Sequence, residues 1–124
     1  MSDLWPTELR VSKDRQRLLV TFNDGASFDL SAEMLRVLSP SAEVQGHGPG
    51  QKLTVPGKRN VAIIAMTPTG NYAVRIGFDD FHDTGIFTWS YLRELGEKGA
   101  DLFADYEREL AEKGMSRDMS EKPR

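Results

Sequence analysis

The strongest constraint on this chain is an internal echo. Val20-Thr21-Phe22-Asn23-Asp24-Gly25 runs into Ser31-Ala32-Glu33-Met34-Leu35-Arg36, and Arg75-Ile76-Gly77-Phe78-Asp79-Asp80 runs into Thr88-Trp89-Ser90-Tyr91-Leu92-Arg93. Phe22 and Phe78 stand 56 positions apart and Leu35 and Leu92 stand 57 apart, so one inserted residue between turn and helix reconciles the two segments. Each segment reads as a β-hairpin followed by a helix. Such a unit leaves one sheet face uncovered until something packs on it. Two such segments are compatible with a duplication and equally with a chance similarity of hairpins.

The local patterns supply the elements. Thr7 to Val11 reads as a short strand, with Leu9 and Val11 on one face. Leu18, Val20 and Phe22 alternate with Leu19 and Thr21, the period of a half-buried strand. Asn23-Asp24-Gly25 is a hairpin turn, because glycine accepts the positive φ that such turns need. Ser27 to Leu30 returns as a third strand, and Ser31 caps a helix over about Ala32 to Leu38. Ser39 to Lys52 is loop-like, with Gly46-His47-Gly48-Pro49-Gly50 forbidding regular structure. Leu53 to Val55 and Val61 to Met66 are expected strands, and Pro68-Thr69-Gly70-Asn71 a turn. Tyr72, Val74, Ile76 and Phe78 alternate with Ala73, Arg75 and Gly77. A strand near Thr84 to Phe87 leads to a helix over Trp89 to Leu95 capped by Thr88, and a separate helix covers Asp101 to Lys113 and stops at Gly114. Val20, Phe22, Val74, Ile76, Phe78 and Leu92 fall on the apolar faces and form the expected core. The fold class is therefore α+β: a mostly antiparallel sheet built from two hairpin-plus-helix units, with the helices mainly on one side. A single domain is expected over 1–114, followed by a polar, disordered tail over 115–124.

Composition narrows the chemistry. With no cysteine among 124 residues, disulfides, thiolate zinc sites, cysteine-ligated clusters and cysteine nucleophiles are excluded. A formal net charge of -3 argues against binding nucleic acid through its phosphates. No apolar run reaches the ~20 residues of a membrane span, and the first residues lack a signal-peptide pattern, so a cytoplasmic protein without membrane contact is expected.

The second segment, Phe78-Asp79-Asp80-Phe81-His82-Asp83-Thr84-Gly85-Ile86-Phe87-Thr88-Trp89-Ser90-Tyr91-Leu92, together with Phe22-Asn23-Asp24-Gly25, Leu35-Arg36 and Gly70-Asn71-Tyr72-Ala73-Val74, resembles the N-terminal domain of gamma-butyrobetaine hydroxylase and the small, single-domain DUF971-like proteins. The resemblance covers roughly residues 7–96. At the turn it departs from the family's common Asp-Gly-His, which is here Asp80-Phe81-His82. In the hydroxylase, the resemblance implies, this domain holds a structural zinc through three cysteines and one histidine. The histidine matches His82 and the cysteines match Ser39, Ser41 and Val44, none of which supplies a thiolate. No tightly bound cofactor is therefore expected. The iron and 2-oxoglutarate chemistry of the hydroxylase sits in a separate, larger domain for which this chain has no room, so an enzyme is not expected. Domains of this kind also occur fused to P-loop ATPases of iron–sulfur cluster assembly, which implies a protein partner of that class.

Candidate residues follow from both readings. His82 with Asp80 and Asp83 is a candidate for weak iron or zinc binding, against the plainer reading that the aspartates cap the turn and His82 packs locally. Phe81, at the apparent hairpin tip, with Trp89 and Tyr91, is a candidate surface for a protein partner or a homo-oligomer, against the plainer reading that all three are core. Lys52, Lys58, Arg59 and Arg75 would make a basic stripe if the central strands were adjacent. His47 lies in a glycine loop that lacks the Gly-Lys-Ser/Thr of a phosphate loop. The function expected is a non-catalytic binding or adaptor module, linked through partners to iron or iron–sulfur metabolism. The alternative is a small iron- or zinc-binding protein.

Overall fold

In the computed structural model, residues 4–41, 44 and 53–118 are described. His47 and Lys52 lie outside them. Two three-stranded antiparallel sheets are present, each followed by a helix. The first contains β1 (Pro6–Val11), β2 (Arg17–Phe22) and β3 (Ser27–Ser31), in that order, and leads into α1 (Ala32–Val37). The second contains β4 (Ile63–Thr69), β5 (Ala73–Phe78) and β6 (Gly85–Thr88), and leads into α2 (Trp89–Glu112). The expected core holds: Val20, Phe22, Val74, Ile76, Phe78 and Leu92 are all buried.

The echo extends to the whole unit, hydrogen bond by hydrogen bond. In the first turn Phe22 N donates to Ala26 O at 2.8 Å and Ala26 N donates to Asp24 Oδ1 at 3.1 Å. In the second turn Phe78 N donates to His82 O at 2.9 Å and His82 N donates to Asp80 Oδ1 at 3.1 Å. Asn23 exchanges two bonds with the backbone of Trp5, and Asp79 exchanges the same two with Ala62. Register shifts fall between Pro6 and Glu8 in β1 and between Ile63 and Ala65 in β4. Ser31 Oγ accepts from Met34 N, and Thr88 Oγ1 accepts from Tyr91 N. This many matched bonds at spacings of 56 and 57 favours duplication over chance similarity, and it brings β1 and β4 into the repeated unit.

Several elements differ from expectation. Residues 53–55 form no strand. The fourth strand begins at Ile63 and continues through Pro68, which an edge strand tolerates because one side of its backbone has no ladder partner. Tyr72 sits in the turn and is 60% exposed, so the core face of β5 begins at Val74. The two expected C-terminal helices are one helix of 24 residues. Gly96 and Gly99 do not break it. A Cβ at Gly96 would lie 2.5 Å from the Phe28 ring, and one at Gly99 would lie 2.9 Å from Met34 Sδ. The glycines let α2 lie close on β3 and α1, and packing outweighs their propensity cost of ~1 kcal/mol each. The helix ends at Gly114 (φ 68°), where Met115 N bonds Leu110 O and Gly114 N bonds Ala111 O, a Schellman ending.

The segment expected to fray is strapped to the body over residues 115–118. Gly57 N donates to Ser116 O and Arg59 N donates to Arg117 O, each at 2.9 Å. The Arg117 guanidinium makes two 2.7 Å bonds to the buried carboxylate of Glu33 in α1 and lies 5.1 Å over the Phe103 ring.

Two outcomes test this packing. Gly96→Ala should destabilise by about 1–3 kcal/mol in urea unfolding, because overpacking exceeds the helix-propensity gain that the same change brings on an open helix. Arg117→Ala should cost on the order of 2 kcal/mol, because it strands the Glu33 charge. An unchanged midpoint would show that the strap is not holding α1.

Candidate functional site

The second hairpin turn and the residues that pack on it form the candidate site. Its local geometry follows from Phe78-Asp79-Asp80-Phe81-His82: Phe81 N donates to Phe78 O at 3.0 Å, and Phe81 is the residue with positive φ, 72°. In the first turn that place belongs to Gly25, φ 92°. A side chain in this conformation brings Cβ against the following carbonyl, at a cost of roughly 1–2 kcal/mol. Phe81 meets that cost without burial, being 90% exposed.

Asp80 anchors the turn. Its Oδ2 accepts from Arg36 Nε of α1 and from Lys58 Nζ, both at 2.7 Å. Burial works against its charged form, but the bonds from Lys58, Arg36 and the His82 N–H outweigh it and hold the carboxyl at about 2. The first turn has the mirror arrangement. Asp24 is bridged by Arg93 of α2, whose guanidinium also lies over the Phe22 and Phe28 rings. Arg93 likewise lowers the Asp24 carboxyl below its ordinary value. Each turn is thus held by the arginine of the other unit's helix.

His82 is buried, tilted against Phe78, and its Nε2 lies 3.0 Å from Ser39 Oγ and 3.4 Å from Ser41 Oγ. Gly85 is required beside it, because a Cβ there would collide with Ser39 Oγ. The resemblance implies metal ligands at Ser39, Ser41, Val44 and His82. The chain brings the first two to His82, and Val44 is buried. An imidazole, two neutral hydroxyls and a hydrocarbon are not a zinc donor set, which needs thiolate, imidazole or carboxylate. The residues do not fit the metal. Ser39 and His82 also have the spacing of a nucleophile and its base, and they are 0% and 6% exposed. What the cluster does is tie the segment after α1 to the second hairpin.

The aspartates around His82 point elsewhere. Asp79 Oδ1 accepts from Ala62 N, Asp80 is taken by Arg36 and Lys58, and Asp83 is exposed beside Gly77. Among the described residues no three His, Asp or Glu groups converge. Of the candidate aromatics, Phe81 stands free in solvent. Trp89 is half-buried and donates from Nε1 to Asn71 O at 3.0 Å. Tyr91 packs near Phe87 and donates to Leu38 O at 2.6 Å, and burial pushes its hydroxyl up to about 12. Among the described residues the basic stripe does not form: Lys58 pairs with Asp80, Arg59 with Asp118, and Arg75 faces solvent on the second sheet, while Lys52 lies outside them. Sequence reasoning missed Arg36 and Arg93, although both stand at the same place in the echo, directly after Leu35 and Leu92.

A family model described as gamma-butyrobetaine hydroxylase-like, N-terminal, matches residues 9–93. Two solution structures determined by NMR are similar to this chain. One is 46% identical with a TM-score of 0.80, covering 94% of this chain and 92% of its own. The other is 42% identical with a TM-score of 0.79, covering 98% and 94%. A crystal structure of a protein of unknown function in the DUF971 family, from Acidithiobacillus ferrooxidans, is 38% identical with a TM-score of 0.61, covering 73% of this chain and 91% of its own. No curated protein sequence matches.

The Asp80 anchor predicts a pH response. Its folded pKa lies below the ordinary 3.8, so its stabilisation is complete above that value and is lost as pH falls through about 2. Asp80→Asn should cost on the order of 1–2 kcal/mol at pH 7, discounted for partial solvent screening. The difference between variant and parent should shrink between about pH 4 and 2 in acid titrations of stability. A constant difference across that window would show that the charge of Asp80 carries none of it.

Proposed function

The chain belongs to the gamma-butyrobetaine hydroxylase-like N-terminal family, and from that premise we propose that it is a non-catalytic binding module whose contact point is the tip of the second hairpin. The observation that carries this reading is Phe81. A large apolar side chain, 90% exposed, is held in a left-handed conformation at the position where the sister hairpin has glycine. Neither fold stability nor turn geometry accounts for it, since glycine would serve both better. Strain of this kind is retained where a contact uses it, and exposed aromatics at the centre of a contact carry most of its energy.

The Asp80–Arg36–Lys58 cluster and the His82–Ser39 contact support the tip from beneath, so Phe81 is presented on a rigid base. Trp89 and Tyr91 contribute by bracing rather than by contact, given their bonds to Asn71 and Leu38. The partner class that the family resemblance suggests is a P-loop ATPase of iron–sulfur cluster assembly, which would link the module to iron metabolism through its partner. Weak iron or zinc binding by His82, Asp80 and Asp83 has less to support it, because Asp80 is already neutralised by two cations.

Phe81→Gly tests the proposal in one substitution. Relief of strain should leave stability unchanged or raise it by about 1 kcal/mol. Capture of a purified ATPase of that class should weaken at least about tenfold, or about 1.4 kcal/mol. Equal capture by parent and variant would remove the tip from the interface.

A further inference from the structure

The two units provide an internal comparison of their outer sheet faces. On the first sheet most outward residues are polar and paired, Arg17 with Asp29, Arg10 with Glu8, and Thr21 Oγ1 with Ser27 Oγ at 2.8 Å, around a half-buried Leu19 at the place that Arg75 takes in the second sheet. This is an ordinary solvent face. On the second sheet the equivalent places of Glu8, Arg10, Thr21 and Asp29 hold Ala65, Thr67, Gly77 and Ile86. Ile86 is 43% exposed and sits opposite Arg75 in the ladder. A shallow hollow on this face is lined by Ala65, Thr67, Arg75, Gly77 and Asp83.

Two charges remain on this face, one of each sign. Arg75 and Asp83 are both exposed, and among the described residues neither side chain makes an ion pair or a hydrogen bond. They line the same hollow without bridging each other. A face of mostly small residues carrying one unpaired cation and one unpaired anion can meet a second copy of itself under a two-fold rotation with opposite charges opposed, which is what an isologous contact requires. Extension of the sheet at its β4 edge is disfavoured by Pro68, which lacks an N–H for a further strand.

We propose that the outer face of β4, β5 and β6 is where a second copy of this chain docks, face to face, with Arg75 of each copy against Asp83 of the other. The small residues allow close approach and Ile86 supplies apolar area. The charge pairs set register and orientation more than affinity. This surface is the flank of the second sheet, so it stands or falls independently of Phe81 at the hairpin tip.

The experiment is sedimentation velocity on the full chain over a concentration series reaching about millimolar, with Arg75→Asp, Asp83→Arg and the double exchange. Both residues are exposed, and thermal melts confirm that each variant folds. The parent should dimerise. Either single variant should weaken dimerisation at least about tenfold, because it sets two like charges against each other twice. An equimolar mixture of the two single variants should form a heterodimer, since each then meets its opposite, and the double exchange should restore the homodimer. High salt should weaken the parent dimer. A parent that stays monomeric throughout overturns the proposal. So does a dimer that both single variants leave intact, or single variants that fail to recover on mixing.

Discussion

The crossed pairing of turn aspartates with helix arginines is the interaction on which the rest of this structure depends. Asp24 belongs to the first unit and is held by Arg93 of the second, while Asp80 belongs to the second and is held by Arg36 of the first. A hairpin-plus-helix unit has a free apolar face and cannot stand alone. Apolar burial brings two such units together, but it is not directional. The aspartates supply direction. Each fixes its own turn by accepting from the backbone two residues on, and spends its remaining capacity on the other unit's helix. Turn shape and inter-unit orientation are therefore decided by the same two carboxylates.

Around this frame the units have diverged where the frame does not constrain them. The first helix, α1, has six residues and the second, α2, has 24. The longer helix returns over the first sheet, and its length lets the chain reach back with Arg117 to the buried Glu33 at the start of α1. The outer sheet faces have diverged as well, one into paired polar residues around Leu19 and the other into small residues around Arg75. At the turns, Gly25 and Phe81 occupy one conformation at very different cost. Geometry would assign glycine to that position, and stability does not explain the phenylalanine there.

The His82 cluster is a structural cross-link built from a buried imidazole and two hydroxyls. Two hydroxyls at the imidazole cannot hold zinc, yet they still join the segment after α1 to the second hairpin. Hydrogen bonds to a buried imidazole satisfy groups that would otherwise be costly to bury. The contact fixes the base of the second hairpin turn.

How much of this was legible beforehand divides along sequence separation. The strand phases of β2 and β5, the hairpin at Gly25, and the caps Ser31 and Thr88 were all readable, because each rests on side chains within a few positions of one another. The repeat was visible too, since it is a property of order along the chain. What could not be read there was decided by groups far apart in sequence. Gly96 and Gly99 look like a helix break until Phe28 and Met34 are seen beneath them. Asp80 looks like a metal ligand until Arg36 and Lys58 arrive on it from 44 and 22 positions away. Local sequence thus determined the elements and their buried faces. Only the tertiary structure decided which charges are spent inside the molecule and which, like Arg75 and Asp83, stand unpaired at the surface, because pairing depends on distances that only the fold sets.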